Sequence, residues 1–527
     1  MRKLKALLAS ITALCMCTSN MSVVGQVQPV VNFISASAED EEPATSGTCG
    51  ENLTWHLSQN FDEDTYTLTI SGTGAMMDWE GTLALVNWTS TKAPWHEWYY
   101  SITKIIIQDG ITTIGSHAFD FCYNLKSVII PDSVTTIGSY AFSGCYENLK
   151  SITIPESVTT IGEGAFSGCS ALESIVIPDG IETIDDYSFS GCSYLRSVII
   201  PNSVTLIGAE AFKECTALKS IEIPNSVKKI DSNAFTKCSN LKSIEIPESV
   251  TIIGDYSFSD CPALESVTMQ NGVEEIRAYA FYGCSSLKSI TIPDSVEEIG
   301  LCAFSGCSSL KSVKLSNNIS KLDGWIFGDC TALESIVIPD RVSEISLGAF
   351  ANCESLTSII IPNYVLGIWE AFENCSSLES IIIPESVQGI YGSTFSGCSS
   401  LESIRFENPR CIIEESGAIP DNTTIYGYAD STAQEYAENN NINFVLIGEA
   451  PEPTEFPKIK KGDINLDNAV DILDIISINK AILGQKILTI EENKSADIDN
   501  NGIVDTIDSL NIMKYIVNLI DSLENLS

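Results

Sequence analysis

A chain of 527 residues with 69 acidic against 29 basic side chains carries a formal charge of −40. That balance argues against nucleic acid, whose affinity comes from neutralised phosphates, and against anionic lipid, and it suits a protein that meets calcium outside the cell. The length fits two to four domains or one repeat array with appendages.

The first predicted element is an export signal over residues 1–38. Arg2, Lys3 and Lys5 precede an apolar run from Ala6 to Cys17, and Ala36-Ser37-Ala38 stands before Glu39 as a small-x-small cleavage site. The run is too short to span a bilayer, and no later stretch reaches the roughly 18 apolar residues a membrane helix needs. Removal of the signal is expected to leave no membrane attachment.

Residues 39–104 hold five of the seven tryptophans, Trp55, Trp79, Trp88, Trp95 and Trp98, followed by Tyr99 and Tyr100. A repeat array must close its open apolar end, so these read as an N-terminal cap; the alternative is an aromatic platform for sugar rings. Cys49 with His56 or His96 can be drawn as a nucleophile and base, but cap residues are the expectation.

Residues 105–406 repeat with a period near 23. A typical unit reads Leu172-Glu-Ser-Ile-Val-Ile-Pro178, then Ile181-x-x-Ile184, then Phe189-x-x-Cys192. About thirteen units follow one another, with a phenylalanine column from Phe119 to Phe395 and a cysteine column three residues later from Cys122 to Cys398. Each unit supplies one short strand and a return segment, and only stacked units can bury the apolar face. Equivalent cysteines in every rung cannot all pair, so reduced, buried thiols are expected. Strand alternation points two columns outward. One is serine throughout, from Ser127 to Ser403, and reads as a structural hydroxyl ladder. The other varies: Ile129, Thr153, Val176, Ile199, Glu222, Glu245, Thr268, Thr291, Lys314, Val337, Ile360, Ile382 and Arg405. It reads either as β-propensity alone or as a recognition face with apolar ends and an acidic centre.

These units resemble the BspA-like leucine-rich-repeat family, over residues 46–449. Gly47-Thr48-Cys49-Gly50, Trp55 and Gly72-Thr73-Gly74 are similar to its N-terminal cap. Ile425-Tyr426-Gly427-Tyr428, Ala433, Tyr436-Ala437 and Phe444 are similar to its closing segment, which places a C-terminal cap at 407–449. The resemblance implies an α/β repeat solenoid with a parallel β ladder, and a surface or secreted protein of adhesion and interaction.

A Pro/Glu linker occupies 450–460. Beyond it, two segments match at an offset of 34 residues, Asp463-Ile-Asn465-Leu-Asp467-Asn-Ala469-Val-Asp471-Ile-Leu-Asp474 and Asp497-Ile-Asp499-Asn-Asn501-Gly-Ile503-Val-Asp505-Thr-Ile-Asp508. Oxygen side chains at positions 1, 3, 5, 9 and 12, with the carbonyl of position 7 (Ala469, Ile503), are what Ca²⁺ takes up. Gly502 and Asn468 suit the positive φ that position 6 needs. Each loop runs into an apolar helical stretch, 472–483 and 506–520.

This tandem resembles the dockerin family, of type I character, an all-α module over 461–520 that leaves 521–527 as a tail. The resemblance implies two calcium ions, one held by Asp463, Asn465, Asp467 and Asp474, the other by Asp497, Asp499, Asn501 and Asp508, with Asp471 and Asp505 acting through water. It also implies a cohesin domain of a cellulosome-like scaffold as partner, contacted by Ile472, Leu473, Lys480, Thr506, Ile507 and Lys514. At loop positions 10 and 11, where dockerins often carry Ser/Thr, this chain has Ile472-Leu473 and Thr506-Ile507.

No HExxH, G-x-S-x-G or Walker motif is present, and the chain has three histidines in all. A secreted, non-catalytic binding protein is therefore expected, its solenoid facing an extracellular protein or a plant polysaccharide. An architectural spacer and an unrecognised accessory enzyme are the alternatives.

Overall fold

The computed structural model describes residues 44–61, 64–80, 92–414 and 417–448, and in the C-terminal module 461, 462, 464, 470, 472–482, 495, 496, 498, 504 and 506–516. The expected export signal, the linker and the tail lie outside the described residues.

The solenoid starts from a small meander. Strands β1 (Ser46–Gly50), β2 (Leu53–Gln59) and β3 (Tyr66–Gly72) pair antiparallel, and β3 then pairs parallel with β4 (Ile102–Ile107). From β4 onward every partner is parallel, the next being Ser127–Ile129. Successive rungs stack in register one repeat apart, as Ser174, Ile175 and Val176 do on Ser197, Val198 and Ile199.

Each repeat supplies a second strand segment that the sequence pattern does not reveal. Thr183–Ile184 pairs with Leu206–Ile207, and the ladder continues through Lys229–Ile230, Ile252–Ile253 and Glu275–Ile276 to Glu298–Ile299. Two residues are too few to show alternation, so this ladder exists only because stacking aligns them. The fold is a leucine-rich-repeat parallel β solenoid with little helix. Outside the C-terminal module, the described helices are a 3₁₀ turn at His96–Trp98 and α1 (Thr432–Asn440).

The return segments are turns whose backbone bonds run to the next rung. In one repeat the N–H groups of Tyr187, Phe189 and Gly191 donate to the carbonyls of Ala209, Ala211 and Lys213 at 2.7–2.8 Å. Pointing alternate N–H groups along the solenoid axis requires left-handed residues, and Tyr187 (φ 58°) and Gly191 (φ 73°) supply them. The same two positions are left-handed in nearly every repeat, filled more often by other residues, such as Glu210, Lys237 or Asp260, than by glycine.

Between the ladders lies the core. The phenylalanine rings stack from Phe119 to Phe395, with centroids between 5.2 Å (Phe235–Phe258) and 5.8 Å (Phe327–Phe350). Beside them each cysteine of the column from Cys145 to Cys398 donates its thiol to the phenylalanine carbonyl of the preceding rung, as Cys192 Sγ does to Phe166 at 3.2 Å. All sixteen described cysteines are free and buried, in accord with the packing expectation. The outward serine column is a different matter. From Ser127 to Ser380 its members are exposed, and among the described residues their hydroxyls bond to no neighbour, so no hydroxyl ladder forms there. Serines after the proline do that work instead: Ser203 Oγ donates to Ile181 O at 2.6 Å and Ser226 Oγ to Val204 O at 2.6 Å.

Both ends are closed. Trp95 stacks on Phe119 (5.5 Å) and donates from Nε1 to Ala118 O at 2.7 Å, while Trp55 and Trp79 meet it edge-on. At the other end Ser403–Phe406 pairs with Thr424–Tyr428, which pairs with Asn443–Gly448. Helix α1 covers that end, with Ser431 capping its start and Asn441 (φ 56°) turning its C-terminus.

Candidate calcium module and partner face

The C-terminal module has its own small core: Ile464, Ile475, Ile478, Ala496, Ile498 and Ile512 are buried together. Helix α2 (Ile472–Ile482) packs on α3 (Thr506–Ile516), and Ser509 Oγ donates to Asn479 Oδ1 between them at 3.0 Å. Lys461 Nζ donates to Ile498 O (2.8 Å) and Gly462 N to Ser495 O (2.9 Å), tying the start of the first loop to the second half.

Position 12 of each loop falls in the first turn of the helix that follows. Asp474 is fully buried there, and its Oδ1 accepts the Ile464 N–H at 2.7 Å. Asp508, equally buried, accepts the Ile498 N–H at 2.7 Å. Ile464 and Ile498 are position 2 of their loops, so both loops are closed by one and the same bond, 34 residues apart in sequence. Burying a carboxylate is costly unless its charge is met. A backbone N–H and the helix N-terminus contribute to meeting it, and a carboxylate at the exit of a loop rich in side-chain oxygens is the kind of donor a hard cation takes up. The residues present fit calcium.

Asp463, Asn465, Asp467, Ala469, Asp471, Asp497, Asp499, Asn501, Ile503 and Asp505 lie outside the described residues, and among the described residues no group of three acidic, histidine or cysteine side chains is assembled. Of the expected partner residues, Thr506 and Lys480 are exposed and Lys514 is half-buried on the two helices. Ile472, Leu473 and Ile507 sit in their first turns; their side chains lie outside the description. Leu510, which the sequence reading passed over, is exposed on α3 with Met513 (47 % and 44 %). With Thr506 they recur at i, i+4 and i+7, a helical spacing that could have found them.

Cys49, His56 and His96 are all described in the cap, His96 half-buried in the 3₁₀ turn His96–Trp98. Cys49 is buried on β1, and burial pushes its thiol up to about 12, the reverse of the lowered pKa that activates a thiol. His56 is exposed on β2. Trp55, Trp79 and Trp95 are buried under the phenylalanine stack, which makes them cap residues rather than a sugar platform; Trp88 lies outside the described residues.

Comparison with known proteins bears on both parts. The BspA type leucine rich repeat region matches six copies, over 95–218, 163–288 and 274–401, more than half of the chain. The chain belongs to the BspA-type leucine-rich-repeat family. Its C-terminal module matches the dockerin type I domain over 461–517. A leucine-rich repeat protein of Bacteroides ovatus is similar in structure, with TM-score 0.55 and 29% identity over 71% of this chain and 98% of its own. A leucine-rich repeat protein of Eubacterium ventriosum gives TM-score 0.48 and 27% identity over 67% and 95%. No curated protein matches. Type I dockerins are calcium-binding modules that bind cohesins, and neither they nor BspA-type repeats are catalytic modules. Among the described residues, no helix of this BspA-type protein is long and apolar enough to cross a membrane.

Proposed function

We propose that this BspA-type protein is a secreted, non-catalytic binding protein. Its dockerin holds two calcium ions and docks on a cohesin of a cellulosome-like scaffold, while the solenoid presents its outward strand column to a protein or glycan. The observation that carries the reading is the duplicated loop closure, Asp474 to Ile464 and Asp508 to Ile498, in a chain whose remaining described bulk is one repeat core. Twin closures imply twin ions, one for each loop. With both loops filled the acidic charge is neutralised and the helix pair is held for docking.

Calorimetric titration of the full chain with Ca²⁺ is expected to give two ions per molecule, and Asp474→Asn or Asp508→Asn to remove one each. Capture by a panel of immobilised type I cohesins should require calcium and vanish with chelator. A single ion, or capture that survives chelation, would overturn the assignment. Screening the chain with its dockerin removed against plant polysaccharides and extracellular proteins tests the solenoid half; no binding to either sinks that half alone.

A further inference from the structure

The variable column of the solenoid is exposed in all thirteen rungs. Its apolar members are bare on the surface at two separated places: Ile129, Val176 and Ile199 are 49–60 % exposed, and Val337, Ile360 and Ile382 are 56–84 % exposed. The column is in strict register, since Val176 sits beside Ile199, Thr291 beside Lys314 and Val337 beside Ile360. Read from its centre at Thr268, the apolar residues Val176 and Ile199 lie as far out on one side as Ile360 and Val337 on the other, and Glu222 lies as far out as Lys314.

We infer that this face is the interface of an antiparallel homodimer, its two-fold axis lying along the central strand Ser266–Met269. The inference rests on reading the column as a recognition face, and it names the partner as a second copy of the chain. An axis along the strands reverses the order of rungs and keeps each column facing itself. Counting rungs from Ser127, rung 3 then meets rung 11, 4 meets 10, 5 meets 9, and rung 7 meets its own copy. Val176 faces Ile360, Ile199 faces Val337, Glu222 faces Lys314, and Thr268 faces Thr268. The other pairs, Ile129–Arg405, Thr153–Ile382 and Glu245–Thr291, put no like charges together. Two-fold symmetry requires a self-complementary patch, and rungs 3 to 5 set against rungs 9 to 11 supply one.

The competing parallel arrangement is excluded by charge. It sets Glu222, Glu245 and Lys314 each against its own copy, where like charges are repelled. Along the margin, the residues before each serine are mixed in the antiparallel pairing: Lys126–Glu402 and Lys150–Glu379 attract, whereas Lys219–Lys311, Lys242–Lys288 and Glu265 with itself do not. Three of those charges are already met within the chain, by Lys288–Glu265 (2.9 Å) and Lys311–Glu334 (3.0 Å). The uniform serine column, small and without hydrogen bonds inside the chain among the described residues, lets two faces approach and bond across. Thirteen rungs at ~4.8 Å and a strand width of roughly 12 Å cover about 700 Å² on each copy, within the range of stable interfaces.

Sedimentation equilibrium of the full chain with Ca²⁺ and no cohesin is the test. The wild type is expected to be a dimer at micromolar concentration. Val337→Glu with Ile360→Glu, both at bare surface positions, should raise the dissociation constant a hundredfold or more while circular dichroism stays unchanged. Glu222→Lys alone and Lys314→Glu alone should each weaken association tenfold or more, and the two together should restore it. A chain that remains monomeric up to about 100 μM, where only contacts too weak to be specific are left, overturns the dimer. So does a dimer indifferent to these changes, or one that the double charge exchange fails to restore. If the dimer fails, the ligand screen of the preceding subsection, run on the same variants, decides separately whether the face recognises something else.

Discussion

Two left-handed positions in each repeat do the steric work of the solenoid, because they turn alternate N–H groups toward the next rung. Gly191 isolates that cost. A Cβ added to it would meet nothing nearer than Gly168 Cα at 3.6 Å, yet its φ is +73°. Gly191→Ala is therefore expected to cost about 1–2 kcal/mol from backbone strain alone, read as a lower urea midpoint at unchanged circular dichroism; an unchanged midpoint would show that the turn can relax. The thiols make a second residue-scale case. Burial pushes Cys261, Cys398 and Cys411 up to about 12 from an ordinary 9. The unfolded chain releases these protons near pH 9 and the folded chain does not. Stability is thus whole below about pH 9 and falls as pH rises toward 12, by ~1.4 kcal/mol per pH unit for each such thiol. Urea midpoints at pH 8, 9.5 and 10.5 should drop steeply, and a flat series would refute the buried-thiol account. Thiol counting at pH 8 should find almost none reactive in the native chain and nearly all after unfolding without reductant.

At the scale of elements, α2 and α3 repeat one design and diverge on their surfaces. Their first turns carry Asp474 and Asp508 in identical bonds, whereas α3 exposes Thr506, Leu510 and Met513 along one side and the corresponding residues of α2 are Ile472, Ile476 and Asn479. A cohesin complementary to one helix should fit the other poorly, since one aliphatic side chain more or less is worth ~1.5–3 kcal/mol. One docking orientation is expected to dominate. Charging Ile472 and Leu473 to Asp, and separately Thr506 and Ile507 to Asp, should abolish cohesin binding in one case and leave it nearly intact in the other. Binding that survives either pair and is lost only when all four are charged would show interchangeable faces.

For the molecule as a whole, the described residues form two hydrophobic clusters, one running from Cys49 to Ile442 and one of six residues between Ile464 and Ile512. Calorimetry of the full chain is expected to show two transitions, with chelator lowering only the smaller one, because calcium stabilises the state that binds it. A single transition that chelator moves as a unit would contradict this. The sequence alone determined the 23-residue period, the phenylalanine and cysteine columns, the inward and outward sides of the strand, and the twin loops from Asp463 and Asp497, since each follows from local spacing that the backbone turns into direction. Tertiary structure decided the rest. It formed the second ladder at Thr183–Ile184, chose Ser203 over Ser197 as the bonded hydroxyl, buried Trp95 on Phe119, and closed each loop through Asp474 and Asp508. The partner of each of those groups lies ten to twenty-four residues away along the chain, and the stacking of rungs, or the folding of each loop back onto the first turn of its own helix, brings it within bonding distance.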